Sequence, residues 1–233
     1  MTQAMAESFH SIYQRACERK GGKRVLEAML HAPLSASDVA TIPDDRFLAA
    51  MTKKVFQSGF VWRVIENKWD DFETVFFNFD IDKVLLMPDE MLEQKASDKR
   101  IVRNYKKVMT VRDNAIMIKD VSLEYGSFGK FAASFGPENI TELWAFLKKR
   151  GARLGGNTGP YTLRSLGIDT FLFSRDVEDY LRKNNIVDGG LTSKKSLRAA
   201  NDRFASWHKE SGLSLQEIST TVAYSWGTNS RVL

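Results

Sequence analysis

Apolar residues recur along the chain at helical intervals. Phe47, Met51 and Val55 fall four apart, Gly59 and Trp62 continue the stripe, and Val75, Phe76 and Phe79 form another. Sustained alternation of apolar and polar positions, the mark of a half-buried strand, is hard to find. The pattern predicts an all-α protein. Punctuation agrees: Ser35 to Ser37 precede a short turn, Asp80 stands before Ile81 to Leu86, Pro88 and Asp89 open another helix, and Pro137 precedes Ile140 to Arg150. Roughly ten short helices are expected, with no internal repeat and no low-complexity tract. In the tail, Leu197, Ala200, Phe204 and Trp207, then Leu215, Ile218 and Val222, predict two helices turning at Ser211-Gly212 and packing on the core.

Two glycine-rich places interrupt this pattern. Gly21-Gly22 reads as a helix C-cap and turn. Leu154-Gly155-Gly156-Asn157-Thr158-Gly159-Pro160 separates a basic helix ending Lys148-Lys149-Arg150 from a helix beginning at Pro160, a favoured first-turn residue. The prediction is a tight hairpin between two helices.

Composition narrows the possibilities. In 233 residues a hydrophobic share of 43% and a charged share of 27% describe a globular chain able to bury a core. A net charge of +5 tolerates a polyanionic partner. The single cysteine, Cys17, excludes an internal disulfide framework and any zinc site needing two thiolates. No run is long and apolar enough for a membrane span, and the segment from Met1 to Lys20 lacks the apolar centre of a signal peptide. A cytoplasmic protein with no membrane partner is expected.

The hairpin suggests a partner. A glycine turn feeding a helix N-terminus points backbone N–H groups outward, and with the positive helix end these hold a phosphate without reading sequence. Gly155, Gly156, Asn157, Thr158 and Gly159 supply that turn, with Arg150, Arg153 and Arg164 close by in sequence. Beyond it, the helix Tyr161 to Leu166 leads into the connector Gly167 to Ser174, and Asp176 stands at the start of a further helix. This order of hairpin, helix, apolar connector and aspartate resembles the helix-hairpin-helix DNA glycosylase superfamily. The resemblance implies that the hairpin clamps backbone phosphates and that the aspartate faces the sugar of a nucleotide flipped out of the duplex. On that comparison Asp176 is the catalytic carboxylate, Asp169 being too near the hairpin. A carboxylate there would stabilise positive charge on the sugar as the bond to the base breaks, and would orient or deprotonate water. A helix cap is the alternative role for Asp176.

A second motif specifies the family. Gln57-Ser58-Gly59-Phe60-Val61-Trp62 resembles the Gln-Ala-Gly-Leu-Ser-Trp signature of the 3-methyladenine DNA glycosylase I family. The likeness continues through Trp69-Asp70-Asp71-Phe72, Phe79 to Val84, Asp98 to Lys107 and Asn114-Ala115. With the hairpin it covers over half the chain. It implies that Trp62 lines the base pocket, since an indole face attracts a cationic alkylated purine by stacking and cation–π contact. Phe60, Trp69, Lys54 and Gln57 are further pocket candidates. Arg100, Arg103 and Lys107, spaced i, i+3 and i+7, are expected on one helical face that supports DNA backbone binding.

The chain departs from the family at three places. Better known members carry a glutamate three residues before the signature glutamine, where this chain has Lys54. They also hold a zinc ion on two cysteines and two histidines, whereas here Cys17 stands with only His10, His31 and His208; no metal and no cofactor are implied. Bifunctional members of the superfamily use a lysine beside the hairpin, where this chain reads Thr158-Gly159-Pro160-Tyr161, so a monofunctional enzyme is expected.

The expectation is therefore a helix-hairpin-helix DNA glycosylase fold of two helical lobes with a cleft between them, forming one domain over 1–233. A lobe at about 38–135 carries the base-pocket signature, 136–190 carries the hairpin and Asp176, and 1–37 and 191–233 flank them. The implied activity is hydrolysis of the N-glycosidic bond of alkylated purines such as 3-methyladenine in double-stranded DNA, by a monomer. The alternative is a non-catalytic helix-hairpin-helix module that binds damaged or distorted DNA.

Overall fold

The computed structural model describes residues 7–227, and among these every regular element is a helix. There are fifteen α-helices among the described residues, more than the apolar periodicity alone suggests, because stretches such as Trp62–Asn67 and Trp69–Val75 break after one or two turns. The expected punctuation is in place. Ser35 caps Ala36–Thr41, Asp80 caps Ile81–Leu85, and Gly21 and Gly212 end their helices in the left-handed region. No helix among the described residues is long and apolar enough to cross a membrane.

The chain divides into two compact units. One comprises Leu34–Phe135 and Glu142–Ile168, and so contains both the signature and the glycine hairpin. Its centre is the helix Asp44–Gln57, which packs on the long helix Tyr105–Tyr125 and on Thr158–Ser165. Phe47, Leu48, Met51, Val55 and Phe56 make one wholly buried stripe on the first; Val108, Val111, Ala115 and Ile118 supply the facing stripe. Asp44 ties the start of this helix to a neighbour, accepting from Phe128 N at 2.9 Å and from the Ser122 hydroxyl.

The other unit comprises Met1–Pro33, Gly136–Thr141 and Asp169–Leu233, and so contains Asp176. Here Leu215–Ser225 packs against Phe9–Lys20, Arg175–Lys183 and Lys194–Ser211. Ile12, Val177, Phe204, Ile218 and Val222 fill its core, with Phe171 and Phe204 stacked 4.2 Å apart.

Candidate active site

The hairpin follows from close approach between backbones. A Cβ on Gly159 would lie 2.7 Å from Leu154 O, and Gly156 adopts φ +60° at the tip, so each position favours glycine for a different reason. Gly159 N donates to Leu154 O at 3.1 Å and Thr158 N to Gly155 O at 3.3 Å, closing the turn into the helix Thr158–Ser165. That helix starts two residues before Pro160. The amides of Gly155 and Gly156 reach no acceptor among the described residues, and Gly156 and Asn157 are exposed.

The turn is held from behind by Asn114, a fully buried residue of Tyr105–Tyr125. Its Nδ2 donates to Ala152 O at 3.2 Å and its Oδ1 accepts from Ala152 N at 2.8 Å, so one amide satisfies both polar groups of a loop residue. Arg150 is engaged by Asp120 at 3.0 Å, whereas Arg153 is exposed at φ +61°.

Beside the hairpin, and within the same unit, lies a cavity of about 150 Å³ lined by Lys54, Gln57, Ser58, Trp62, Asn157, Thr158 and Tyr161. The signature builds one wall. Asp44–Gln57 ends at Ser58, Gly59 turns the chain at φ +68°, and Trp62 begins the next helix. Tyr161, from the hairpin helix, meets Trp62 edge-on, with ring centroids 5.9 Å apart and planes at 86°. Trp62 stays half exposed, leaving ring surface open to a ligand. Phe60 and Val61 project from the adjoining turn, 45% and 65% exposed.

The polar side of the cavity is a chain of four side chains. Lys54 Nζ donates to Gln57 Oε1 at 2.9 Å, and Gln57 Nε2 donates to Glu66 Oε1 at 2.7 Å. Glu66 Oε2 pairs with Lys53 Nζ at 2.6 Å. Gln57 is buried and its amide is used at both ends. Lys54 Nζ also sits 4.9 Å from the centre of the Trp62 ring. Burial pushes the Lys54 ammonium below its ordinary pKa, with Glu66 opposing the shift and Lys53 adding to it. The Lys53 ion pair is the first cause holding Glu66 below the usual carboxylate range.

The two aspartates have different surroundings. Asp169 accepts from Leu215 N at 3.1 Å and Gln216 N at 2.8 Å, so its carboxylate anchors the start of Leu215–Ser225. Asp176 lies in the first turn of Arg175–Lys183, but the cap of that helix is Ser174, which accepts from Val177 N. Gly227 packs directly on Asp176: a Cβ there would fall 2.0 Å from Asp176 Oδ1.

A model of the methyladenine glycosylase family matches residues 39–162, more than half of the chain. The chain belongs to this family. It is accordingly a DNA glycosylase, a hydrolase of N-glycosidic bonds in DNA repair. Among solved structures, the 8-oxoguanine DNA glycosylase of Methanocaldococcus jannaschii is 17% identical with a TM-score of 0.56 over 92% of this chain and 93% of that one. The same organism's 8-oxoguanine glycosylase/lyase, in complex with a 15mer DNA containing 8-oxoguanine, gives 16% and 0.52 over 92% and 96%. The 3-methyladenine DNA glycosylase I of Staphylococcus aureus gives 21% and 0.49 over 59% and 80%. These M. jannaschii likenesses show the helix-hairpin-helix glycosylase fold.

In this glycosylase the residues singled out in the sequence separate into groups. Lys54, Gln57, Trp62, Asn157 and Thr158 come together at one cavity. Trp69 is elsewhere, stacked at 5.5 Å from both Phe72 and Phe79 and donating through Nε1 to Glu73. Arg164 lies in the last turn of Thr158–Ser165.

The helical face expected for Arg100, Arg103 and Lys107 does not form. The segment 100–104 is irregular because Asp98 chelates Arg100 and Asn104 caps the helix that starts only at Tyr105. Lys107 is buried and donates to Phe56 O at 3.1 Å and Ser58 O at 2.8 Å, closing the end of the signature helix. Desolvation, and then the charge of Arg153, lower its pKa. Arg103 is exposed.

Two residues of the site carry no functional mark in the sequence. Tyr161 lies in the helix after the hairpin, and nothing local marks a helical tyrosine as a pocket wall. Asn114 belongs to the family likeness, and its one local signal is that a polar residue stands amid the buried positions Val111, Ala115 and Ile118.

Proposed function

We propose that this glycosylase excises alkylated purines, the class that includes 3-methyladenine, from double-stranded DNA, acting as a monomer and as one glycosylase domain. The cavity carries the reading: an aromatic corner of Trp62 and Tyr161 adjoins the phosphate-binding type of hairpin within one compact unit. The hairpin amides and Arg153 hold the backbone of the flipped nucleotide, and the Trp62 face receives its base. Asp176 stabilises the sugar cation and orients water. Its assignment is supported by the chain order after the hairpin and by its not being the cap of its helix.

The test is base release from duplexes carrying 3-methyladenine, 7-methylguanine, 1,N6-ethenoadenine or hypoxanthine, by wild type, Asp176→Asn and Trp62→Ala. Release by wild type with loss of at least about a hundredfold in Asp176→Asn is expected. An undiminished rate in Asp176→Asn sinks the catalytic assignment. A borohydride-trapped covalent complex would show a lyase step and overturn the monofunctional reading.

A further inference from the structure

The excision reading leaves open which purines the pocket accepts, and the polar wall bears on that question. Lys54 is a donor-only group facing the cavity, and the buried Gln57 beside it is already used at both ends of its amide. Its ammonium lies over the Trp62 ring, on the electron-rich surface that a cationic base would seek. The surrounding charge is positive as well. Lys53 and Lys54 share the single carboxylate Glu66, and Lys107, held on the carbonyl of the pocket residue Ser58, has Arg153 nearby.

Purines methylated on a ring nitrogen such as N3 or N7 carry a positive charge while attached to DNA. A cationic ring within reach of the Lys54 ammonium meets like charge and competes with it for the indole face. At the effective dielectric near a protein surface this disfavours such a ring by at least about tenfold.

Leaving-group chemistry points the same way. A cationic purine departs as a neutral base and needs no donor. An uncharged purine departs as an anion: water oxygen bonds to C1′, the C1′–N pair passes to the base nitrogen, the water proton goes to solvent, and the base anion takes a proton from solvent. A lysine hydrogen bond to an acceptor on that base strengthens as negative charge develops, so it favours the transition state over the ground state.

We propose that this pocket selects purine lesions that are uncharged in DNA and present an acceptor atom to Lys54, and disfavours cationic N-methylpurines. The proposal rests on base excision as read above and narrows its substrates to purines uncharged in DNA, with 3-methyladenine released more slowly than these.

The experiment measures single-turnover release of 1,N6-ethenoadenine and hypoxanthine against 3-methyladenine and 7-methylguanine, each corrected for spontaneous loss. Lys54→Glu, Lys54→Gln and Lys54→Arg are compared with wild type, with circular dichroism confirming their folding. Wild type is expected to favour the uncharged pair by at least about tenfold. Lys54→Arg should keep that order, Lys54→Gln should lower release of the uncharged pair, and Lys54→Glu should reverse the order. Equal or faster release of the cationic pair by wild type, or an order that survives Lys54→Glu, overturns the proposal.

If no duplex yields base, the excision reading fails separately, and the charge preference is then read from binding of the same duplexes by fluorescence anisotropy. Tighter binding of the uncharged pair by wild type, reversed in Lys54→Glu, supports the preference. Equal affinity overturns it.

Discussion

Replacing Asn114 by alanine removes the clasp on the hairpin without touching any residue that faces the cavity. Two hydrogen bonds are lost, and both polar groups of Ala152 are left to find water in a half-buried position. At about 1 kcal/mol per lost bond, with a further desolvation cost for partners only partly reached by water, the expected destabilisation is about 2–4 kcal/mol. That is a large fraction of the roughly 5–15 kcal/mol that holds a domain together, yet it leaves the protein folded at room temperature. The hairpin then loses its fixed position relative to Tyr105–Tyr125, and its amides no longer converge on a phosphate.

Urea unfolding gives the first quantity, and duplex binding across a salt series gives the second. Asn114→Ala should shift the midpoint without changing the slope, weaken binding to any duplex by about tenfold, and flatten the salt dependence. Asn114→Asp, which keeps the acceptor for Ala152 N, should bind better than Asn114→Ala despite burying a carboxylate. Destabilisation below about 0.5 kcal/mol, or full destabilisation with unchanged affinity and salt slope, would refute the reasoning that this amide positions a DNA-binding turn.

Three further outcomes follow from the geometry. Lys107→Met should lower stability by about 1–3 kcal/mol, because the carbonyls of Phe56 and Ser58 lose their donor, while leaving the salt slope of DNA binding unchanged; a reduced slope would restore a phosphate role for Lys107. Gly227→Ala should slow base release by about tenfold at unchanged duplex affinity, since a Cβ there collides with the Asp176 carboxylate, and an unaltered single-turnover rate would argue against Asp176 as the reacting group. Glu7 is held below its usual carboxylate pKa chiefly by hydrogen bonds from Arg15, with Tyr180 also donating. A depressed folded-state pKa stabilises the fold above the unfolded value, and the gain is lost as pH falls through the folded value. Melting curves of wild type and Glu7→Gln should therefore differ at pH 7 and converge in the acid range; a gap that widens with acid would contradict this sign.

The helical character of the described residues, the ends of many helices and the glycine hairpin between two of them are legible in the sequence. These are local matters. The spacing of Phe47, Met51 and Val55 fixes which face of a helix is apolar, Asp80 caps the turn it precedes, and Gly156 relieves its own backbone at positive φ. Likeness to a family then placed Trp62 and Gln57 at a pocket.

Partners far apart along the chain are set by the fold. Lys107 looks like a DNA-facing cation until its ammonium is found on the carbonyls of Phe56 and Ser58. Asp169 looks like a spare carboxylate until it meets the amides of Leu215 and Gln216. Tyr161 becomes a pocket wall only because its helix packs on Asp44–Gln57 and brings it to Trp62. A side chain's periodicity records whether it is buried, which depends on its own helix. Its charge role depends on which groups the fold sets within hydrogen-bond reach, and at Lys54 that neighbourhood of Gln57, Trp62 and Glu66 converts an apparent departure from the family into a basis for choosing substrate.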